Sequence, residues 1–316
     1  MQCSKCSGKA VIQLQHGSLC KIHFLNYFEE KVFKTIKKYK LIDRNDRICV
    51  AASGGKDSLT VLYLTKKYLE QYDLKTNLFA LLIDEGIANY RKTTIKDLKT
   101  FCKEHKIKLV IASAKEEFGY TLDRAYPIIN KETKKKPCNI CGVWRRYLIN
   151  KYARKNKATK LVTGHNLDDE AQAIIMNTFK ANTSLSAHLG PVSGIEDHDL
   201  FVQRVKPLYF CAEKETRLYC LLKGFQVDFT ECPYAQEGLR AKVRDMLNDF
   251  ENQYKGTKQS IINSFLEVLP LIKEHQIKIN SSPLNICKIC QEPANQEICN
   301  TCKLKEVLKN GKKKRV

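Results

Sequence analysis

The chain has 316 residues, enough for one large α/β domain with small appendages. Its 55 basic residues against 34 acidic ones leave a net charge of +21, which favours a polyanion such as nucleic acid as partner over a merely solvated lysine surface. No run of about 18 uninterrupted apolar residues is present and the start, MQCSKCSGKA, lacks the apolar core of a secretory signal, so no membrane span is expected and a cytoplasmic location is.

Residues 1–26 carry Cys3-x2-Cys6 and Cys20-x2-His23, two chelating pairs that together give the S₃N donor set of a structural zinc site. Residues 27–46 read as a basic amphipathic linker helix with Phe28, Val32, Ile36 and Tyr39 on one face. The segment 47–235 alternates strands at 47–52, 78–84, 107–112 and 160–163 with helices at 57–70, 90–105, 142–155 and 168–180. This spacing predicts a parallel sheet covered by helices on both faces. The Ser53 loop, Asp84-Glu85-Gly86 and Thr163-Gly164-His165 all follow strand ends, where such sheets bind ligands. Residues 181–199 read as a loop, Val202 to Tyr209 as a strand and 212–223 as a helix. A helical segment at 236–280, with helices at 237–253 and 257–275, ends at a boundary marked by Ser281-Ser282-Pro283. The last unit, 281–316, holds Cys287-x2-Cys290 and Cys299-x2-Cys302, an S₄ zinc ribbon, before a basic tail ending Lys312-Lys313-Lys314-Arg315. Both end units are too short to fold around an apolar core, so metal would supply much of their stability.

The most informative run is AASGGKDS, Ala51 to Ser58, between the strand that starts at Arg47 and the helix that follows. Glycines Gly54 and Gly55 let backbone approach an anion, and the helix points unpaired N–H groups at it. Lys56 adds a positive charge. Asp57 beside phosphates makes sense where Mg²⁺ bridges them. The run departs from the Walker pattern G-x4-G-K-[ST]. Its six positions Ser53 to Ser58 resemble SGGxDS, the PP-loop of ATP pyrophosphatases, which grip departing pyrophosphate while a substrate oxygen is adenylated.

Fourteen cysteines in a chain of this type argue for metal rather than disulfides. Cys138-x2-Cys141, at the start of a helix among cationic residues that favour thiolate, has no second pair close by, and Cys232 follows about 90 residues later in Glu-Cys-Pro-Tyr. Three thiolates can hold a [4Fe–4S] cluster with one iron open. The same residues could serve as a redox pair, one cysteine carrying a persulfide and another resolving it, or as a third zinc site with Cys211 or Cys220. Cys49, Cys102, Cys211 and Cys220 otherwise read as buried thiols, and Trp144 as core. His165 reads as a strand-end histidine, and Asp168 and Asp169 fit a helix cap.

Taken together, SGGKDS, PCNICG at 137–142, TGHNLDDEAQ at 163–172, ECPY at 231–234 and a zinc-like unit at each end resemble the tRNA 2-thiolation enzymes of the TtcA superfamily, in the TtuA/NcsA and cytoplasmic thiolation subfamily. The resemblance spans the whole chain and keeps motif order. It implies a PP-loop α/β domain, a [4Fe–4S] cluster on Cys138, Cys141 and Cys232, two zinc sites and a homodimer. It further implies ATP phosphates on Ser53, Gly54, Gly55, Lys56, Asp57 and Ser58, adenine against backbone at Ile83, and further ATP contacts at Gly164 and Asp169. Arg145 stands where some members have a catalytic lysine. Members resembling the anticodon enzymes carry arginine there, which cannot act as a proton-transfer base but can clamp a phosphate or an oxyanion.

The expected function is ATP-dependent uridine 2-sulfur transfer on tRNA, with Mg²⁺ as ATP's companion and sulfide or a ubiquitin-like thiocarboxylate protein as sulfur donor. The rivals are another PP-loop adenylating enzyme of the lysidine synthetase or cytidine thiolase type, and a non-catalytic RNA-binding protein built on zinc ribbons.

Overall fold

The computed structural model describes residues 1–195, 200–227, 230, 232–234, 239–279 and 285–313. Glu231 of ECPY, the Ser281–Pro283 boundary and the tail residues Lys314 and Arg315 lie outside the described residues.

The N-terminal unit is a hairpin, β1 (Ala10–Leu14) and β2 (Gly17–Cys20), running straight into α1 (Lys21–Lys38). The helix therefore starts and stops earlier than the expected 27–46. Cys20 is its N-cap and His23 lies one turn on, so the helix itself brings the second chelating pair together. It ends because Lys40 adopts a left-handed φ of 48°, with Leu41 N–H donating to Ile36 O at 2.9 Å and Lys40 N–H to Lys37 O at 3.2 Å, a Schellman closure.

The main domain runs β3 (Arg47–Ala51), α2 (Lys56–Gln71), β4 (Asn77–Asp84), α3 (Arg91–Glu104), β5 (Lys108–Ser113), α4 (Ala114–Phe118), α5 (Leu122–Thr133), α6 (Pro137–Lys155), β6 (Lys160–Val162), α7 (Leu167–Phe179), α8 (Thr183–Ala187), β7 (Val192–Ser193), β8 (Gln203–Val205) and α9 (Glu213–Leu222). Five of these correct the sequence expectations. From sequence, no element is placed at 122–133, a segment that contains Pro127. Yet Thr121 caps α5 by accepting from Arg124 N–H at 3.3 Å, and Leu122, Ala125 and Ile129 bury its face. Helix α6 begins at Pro137, not at 142, because proline's fixed φ suits the first helical position. The expected loop at 181–199 contains α8 and β7, whereas the expected strand from Val202 is only three residues long.

The sheet order is β5-β4-β3-β6-β8-β7, parallel except for β7 at the edge. Its direction of growth reverses between β3 and β6, so the loops after these neighbouring strands face each other across a switch point. Alternate residues of β3 and β4 feed two cores. Ile48, Val50, Ala80 and Leu82 pack against α1, α2 and α3, while Cys49, Phe79, Leu81 and Ile83 pack against α5 and α6. Trp144 is fully buried in the second core and stacks on Phe118 at 4.5 Å between ring centroids, as expected of a core residue. Cys49, Cys102, Cys211 and Cys220 are buried thiols.

Beyond these elements α10 (Leu239–Gln253) and α11 (Thr257–Ile279) pack on α7 around Val243, Leu247, Ile262 and Phe265. The C-terminal unit is a short hairpin, β9 (Asn285–Ile286) with β10 (Pro293–Ala294), followed by α12 (Asn300–Lys313). The stretch read from sequence as a basic tail is thus largely helix. Its Leu304 and Leu308 complete the core around Trp144. Among the described residues no helix is long and apolar enough to cross a membrane.

Because Trp144 joins the sheet, α4 and α6 in one core, Trp144→Ala is expected to cost about 3–5 kcal/mol, read as a lowered urea midpoint.

Candidate active site and metal centres

A cleft of about 570 Å³ opens over the carboxyl ends of β3, β4 and β6, a size suited to a small ligand. One wall is the loop from Ser53 to Gly55 and the first turn of α2. Gly54 takes a left-handed φ of +85° there, closed to most side chains. Ser58 closes the loop, its hydroxyl donating to Gly55 O at 2.9 Å and accepting from Ser53 N–H at 3.2 Å. The N-terminus of α2 has no side-chain cap, so its first N–H groups face the cleft for an anion. The loop after β6 presses against this turn. A Cβ at Gly164 would lie 2.9 Å from the Asp57 carbonyl carbon and 3.0 Å from its oxygen, so only glycine fits between these two backbones.

Asp57 enters the cleft with its Oδ1 accepting from Asn166 Nδ2 at 3.2 Å and its Oδ2 from Lys56 Nζ at 2.9 Å. Burial nevertheless raises its pKa. Ser53, Gly55, Asp57 and Ser58 line the cleft, but the Lys56 ammonium is turned toward α9, 2.8 Å from Glu213. Burial opposes its charge, yet Asp57 and Glu213 hold its pKa above the ordinary value. Asp169 both caps and faces the cleft. Its N–H donates to Asn166 Oδ1 at 3.0 Å, its Oδ2 accepts from Asn166 N–H at 3.3 Å, and its Oδ1 takes Arg240 at 2.6 Å. Burial pushes its pKa up to about 6 against the pull of Arg240, with Asp57 adding to the rise. His165 also lines the cleft and reaches solvent there. The cleft walls around it, then the charges of Lys206, Arg204 and Arg240, lower its pKa and favour the neutral imidazole.

Across the cleft, Ile83 marks the end of β4, and Glu85 follows, fully buried. Arg91 binds it with two bonds, Nε at 2.5 Å and Nη2 at 2.9 Å, and sends Nη1 to Ser53 O at 3.0 Å. Arg145 of α6 donates its Nε to Oε1 of the same carboxylate, the oxygen that also accepts Arg91 Nη2. Burial works against the ionised form of Glu85, but the two arginines prevail and lower its pKa. Sequence reasoning placed Asp84-Glu85-Gly86 at the cleft but missed Glu85 as its hub. An acidic residue directly after an apolar strand was the available signal. Arg240 carried none, because α10 meets α7 only through tertiary packing.

Cys138 and Cys141 lie in the first turn of α6. The Cys138 thiol donates to Tyr234 O at 3.0 Å, which brings the segment 232–234 against that turn. Cys141 lies 4.0 Å from Glu85 Oε1 and close enough to feel the charge of Cys232. Contrary to the expected thiolate character, burial raises the Cys141 pKa to about 11, overriding the nearby Arg145. Among the described residues these three sulfurs do not gather within 4.8 Å, as ligands of one tetrahedral ion do. Three soft donors on two facing segments, two of them half-buried, suit the larger [4Fe–4S] cluster better than a mononuclear zinc.

The end units differ. Cys3, Cys6, Cys20 and His23 converge, with Cys6 and Cys20 sulfurs 3.7 Å apart and His23 Nδ1 at 3.4 Å from both Cys3 and Cys20. Cys287, Cys290, Cys299 and Cys302 converge likewise, Cys290 and Cys299 being 3.7 Å apart, while Cys299 N–H donates to Cys287 Sγ at 3.3 Å. Both groups have the geometry to hold one metal ion each.

The parallel sheet, the SGGKDS turn and the cleft at the switch point define a PP-loop nucleotide-binding protein. The chain belongs to that family, since its model, described as a PP-loop domain, matches residues 25–248. Among curated relatives, the tRNA-5-methyluridine(54) 2-sulfurtransferase of Pyrococcus horikoshii is 37% identical over 309 residues, covering 96% of this chain and 93% of the relative. The tRNA 2-thiolation protein NcsA of Haloferax volcanii is 30% identical, covering 97% and 98%. The solved structure of the U34-tRNA thiolase NcsA from Methanococcus maripaludis with its [4Fe-4S] cluster superposes with a TM-score of 0.81 at 31% identity, covering 98% of this chain and 96% of that one.

Two outcomes are expected at this site. Gly164→Ala forces two backbones apart, so it should lower stability by about 1–3 kcal/mol and weaken ATP binding, measured by thermal shift and calorimetry. The raised Asp169 pKa means that the folded state favours the protonated carboxyl. Relative to Asp169→Asn, the wild type should therefore lose stability as pH rises from the ordinary value of 3.8 through about 6, followed by denaturant unfolding at each pH.

Proposed function

We propose that this protein is an ATP-dependent tRNA uridine 2-sulfurtransferase. The observation that carries the reading is that Glu85, at the wall of the PP-loop cleft, is tied by Arg91 to Ser53 and by Arg145 to the helix that bears Cys138 and Cys141, with Cys141 4.0 Å from its Oε1. Whole-length similarity to tRNA thiolation proteins supports it.

Uracil C2 is a poor electrophile whose oxygen is a poor leaving group. ATP remedies this: the C2 oxygen attacks the α-phosphorus and the bond to pyrophosphate breaks. The uncapped N–H groups of α2 and the Ser53–Ser58 loop receive the pyrophosphate. Asp57 and Asp169, whose charges repel across the cleft, are the carboxylates suited to hold Mg²⁺ with the nucleotide. Arg145, fixed by Glu85, is placed to neutralise the phosphoryl oxygens, and as an arginine it does so without moving a proton. Sulfide then forms the C2–S bond, the C2–O bond breaks, and AMP leaves with the uridine oxygen. A [4Fe–4S] cluster held by Cys138, Cys141 and Cys232 would supply an iron with a free coordination position for sulfide. The target base must be extruded or lie in a loop to reach the cleft.

The converged cysteine groups at the two ends are assigned to structural zinc, whose tetrahedral S₃N and S₄ preference they match. The reading also includes a homodimer, a cytoplasmic location, and sulfide or a ubiquitin-like thiocarboxylate protein as the sulfur source.

Anaerobically purified protein should contain about four irons per chain at this site. Cys232→Ala should lose the brown chromophore and thiolation together. Full thiolation with zinc alone at the three cysteines would falsify the cluster assignment. Asp57→Ala should abolish pyrophosphate release while tRNA binding persists. Mass-spectrometric mapping of the product would place 2-thiouridine at position 34 or 54, the two positions between which the relatives divide.

A further inference from the structure

The cleft continues past Arg145 into a lobe that the reaction above does not use. Gly142, Arg146 and Ile149 recur at helical spacing along α6 and form one wall of this lobe. Arg204 of β8 forms the other. Arg204 stands in register with Leu161 and so shares the sheet face covered by α6. Arg146 folds back over the helix, its Nη1 3.5 Å from where a Cβ on Gly142 would sit. The lobe therefore runs alongside the turn that carries Cys138 and Cys141.

The two guanidiniums repel each other, and burial of Arg204 adds to the cost of its charge. Arg204 Nε is buried with no hydrogen-bond partner among the described residues. Arg146 has no carboxylate within ion-pair distance among them. Glu170 attracts Arg204 through space but makes no hydrogen bond with it: its Oε1 accepts from Lys206 Nζ at 2.7 Å and its Oε2 has no partner among the described residues. An Arg204 whose Nε is buried without a partner is costly unless an anion meets it, the exposed Arg146 beside it can close on the same anion, and planar forks of this kind fit a phosphate. β8 lies two strand spacings, about 10 Å, from the strand that carries the PP-loop, and on the side away from β4 and Ile83. ATP phosphates on the PP-loop with adenine at Ile83 leave this lobe free.

We infer that Arg146 and Arg204 form a second phosphate subsite, which takes a backbone phosphodiester flanking the target nucleotide. The inference rests on the proposed RNA substrate. A base that enters the cleft brings its own phosphate with it, and that charge must be neutralised away from water. A phosphate held here orients the nucleotide between the α-phosphate and the cysteines.

The test uses the full-length holoprotein, ATP and in vitro transcribed, unmodified tRNA, with Arg146→Ala, Arg204→Lys and the double variant. Arg146 is exposed on a helix, so its variant leaves the fold intact even where an Arg204 change does not. The expected result is a rise of tenfold or more in KM and Kd for tRNA, with KM for ATP, iron content and the cluster's visible spectrum unchanged. The slope of log Kd for tRNA against log salt should fall by about one for Arg146→Ala and for the double variant, whereas Arg204→Lys keeps the charge and should weaken binding through its lost fork with the slope unchanged. A rise in KM for ATP with unchanged tRNA binding would reassign the subsite to the nucleotide and overturn the inference. So would unchanged values for both substrates. A defect seen only with a thiocarboxylate protein donor, and absent with free sulfide, would overturn it in favour of the donor's carboxylate. Failure of the wild type to thiolate tRNA would instead count against the proposed function, while tRNA affinity and its salt slope would still decide the subsite.

Discussion

The buried Glu85 carboxylate is the point through which the two halves of the site are held in one geometry. A carboxylate out of water is costly unless its partners are complete. Here Arg91 and Arg145 supply them, Arg91 reaching both oxygens and Arg145 sharing Oε1. Arg91 also holds the Ser53 carbonyl, so the PP-loop and the cysteine-bearing helix are referred to one charge. Removing either arginine leaves a buried charge short of a partner, a loss of about 3–5 kcal/mol in comparable pairs. The arrangement explains why an arginine serves at position 145. It stays charged at any working pH and its flat fork can bind Glu85 with one edge while presenting the other to the cleft.

A second constraint is steric. The switch point lets two loops from adjacent strands meet, but only if one has no side chain at the crossing. Gly164 satisfies this, and Asn166, two residues on, then reaches Asp57. The capping box at Asn166 and Asp169 fixes the start of α7 in the same stroke. Of the two residues that read from sequence as helix caps, Asp169 is therefore also a cleft residue, whereas Asp168 is taken by Lys258 and the Glu213 N–H. A cap and a ligand both need an oxygen held at a helix N-terminus, so the two roles share one geometry.

This bears on what could be read from the sequence. The parallel sheet, the PP-loop and the two terminal metal groups follow from short-range patterns: apolar strand runs, the SGGKDS turn and close cysteine pairs. The partners of those motifs depend on long-range packing and were not legible. Lys56 illustrates the difference. Its place in the motif suggested a phosphate contact, but the start of α9, which no local signal ties to the loop, puts Glu213 within reach of its ammonium. Cys141 is similar: its cationic neighbours in sequence suggested a thiolate, and burial by the core around Trp144 outweighs them. Helix α5 was hidden by Pro127, and α12 by a composition that reads as a charged tail.

Helix α12 also changes the part the terminal units play. Their metal groups cannot be independent caps, because each unit shares a core with the main domain. Leu19 and Phe24 enter the core beneath α1 and α2, and Leu304 and Leu308 enter the one beneath α6. Polar contacts tie the C-terminal unit to α6 as well. Arg154 pairs with Glu292 at 2.9 Å, and Glu117 accepts both Lys151 at 2.8 Å and Lys305 at 3.3 Å. Folding of the ribbon around a metal, a strongly favourable step, is thereby coupled to the packing of the helix that carries Cys138, Cys141, Arg145 and Arg146. A metal ion held by cysteines remote from the cleft in sequence would thus stabilise the wall from which the cleft chemistry is presented.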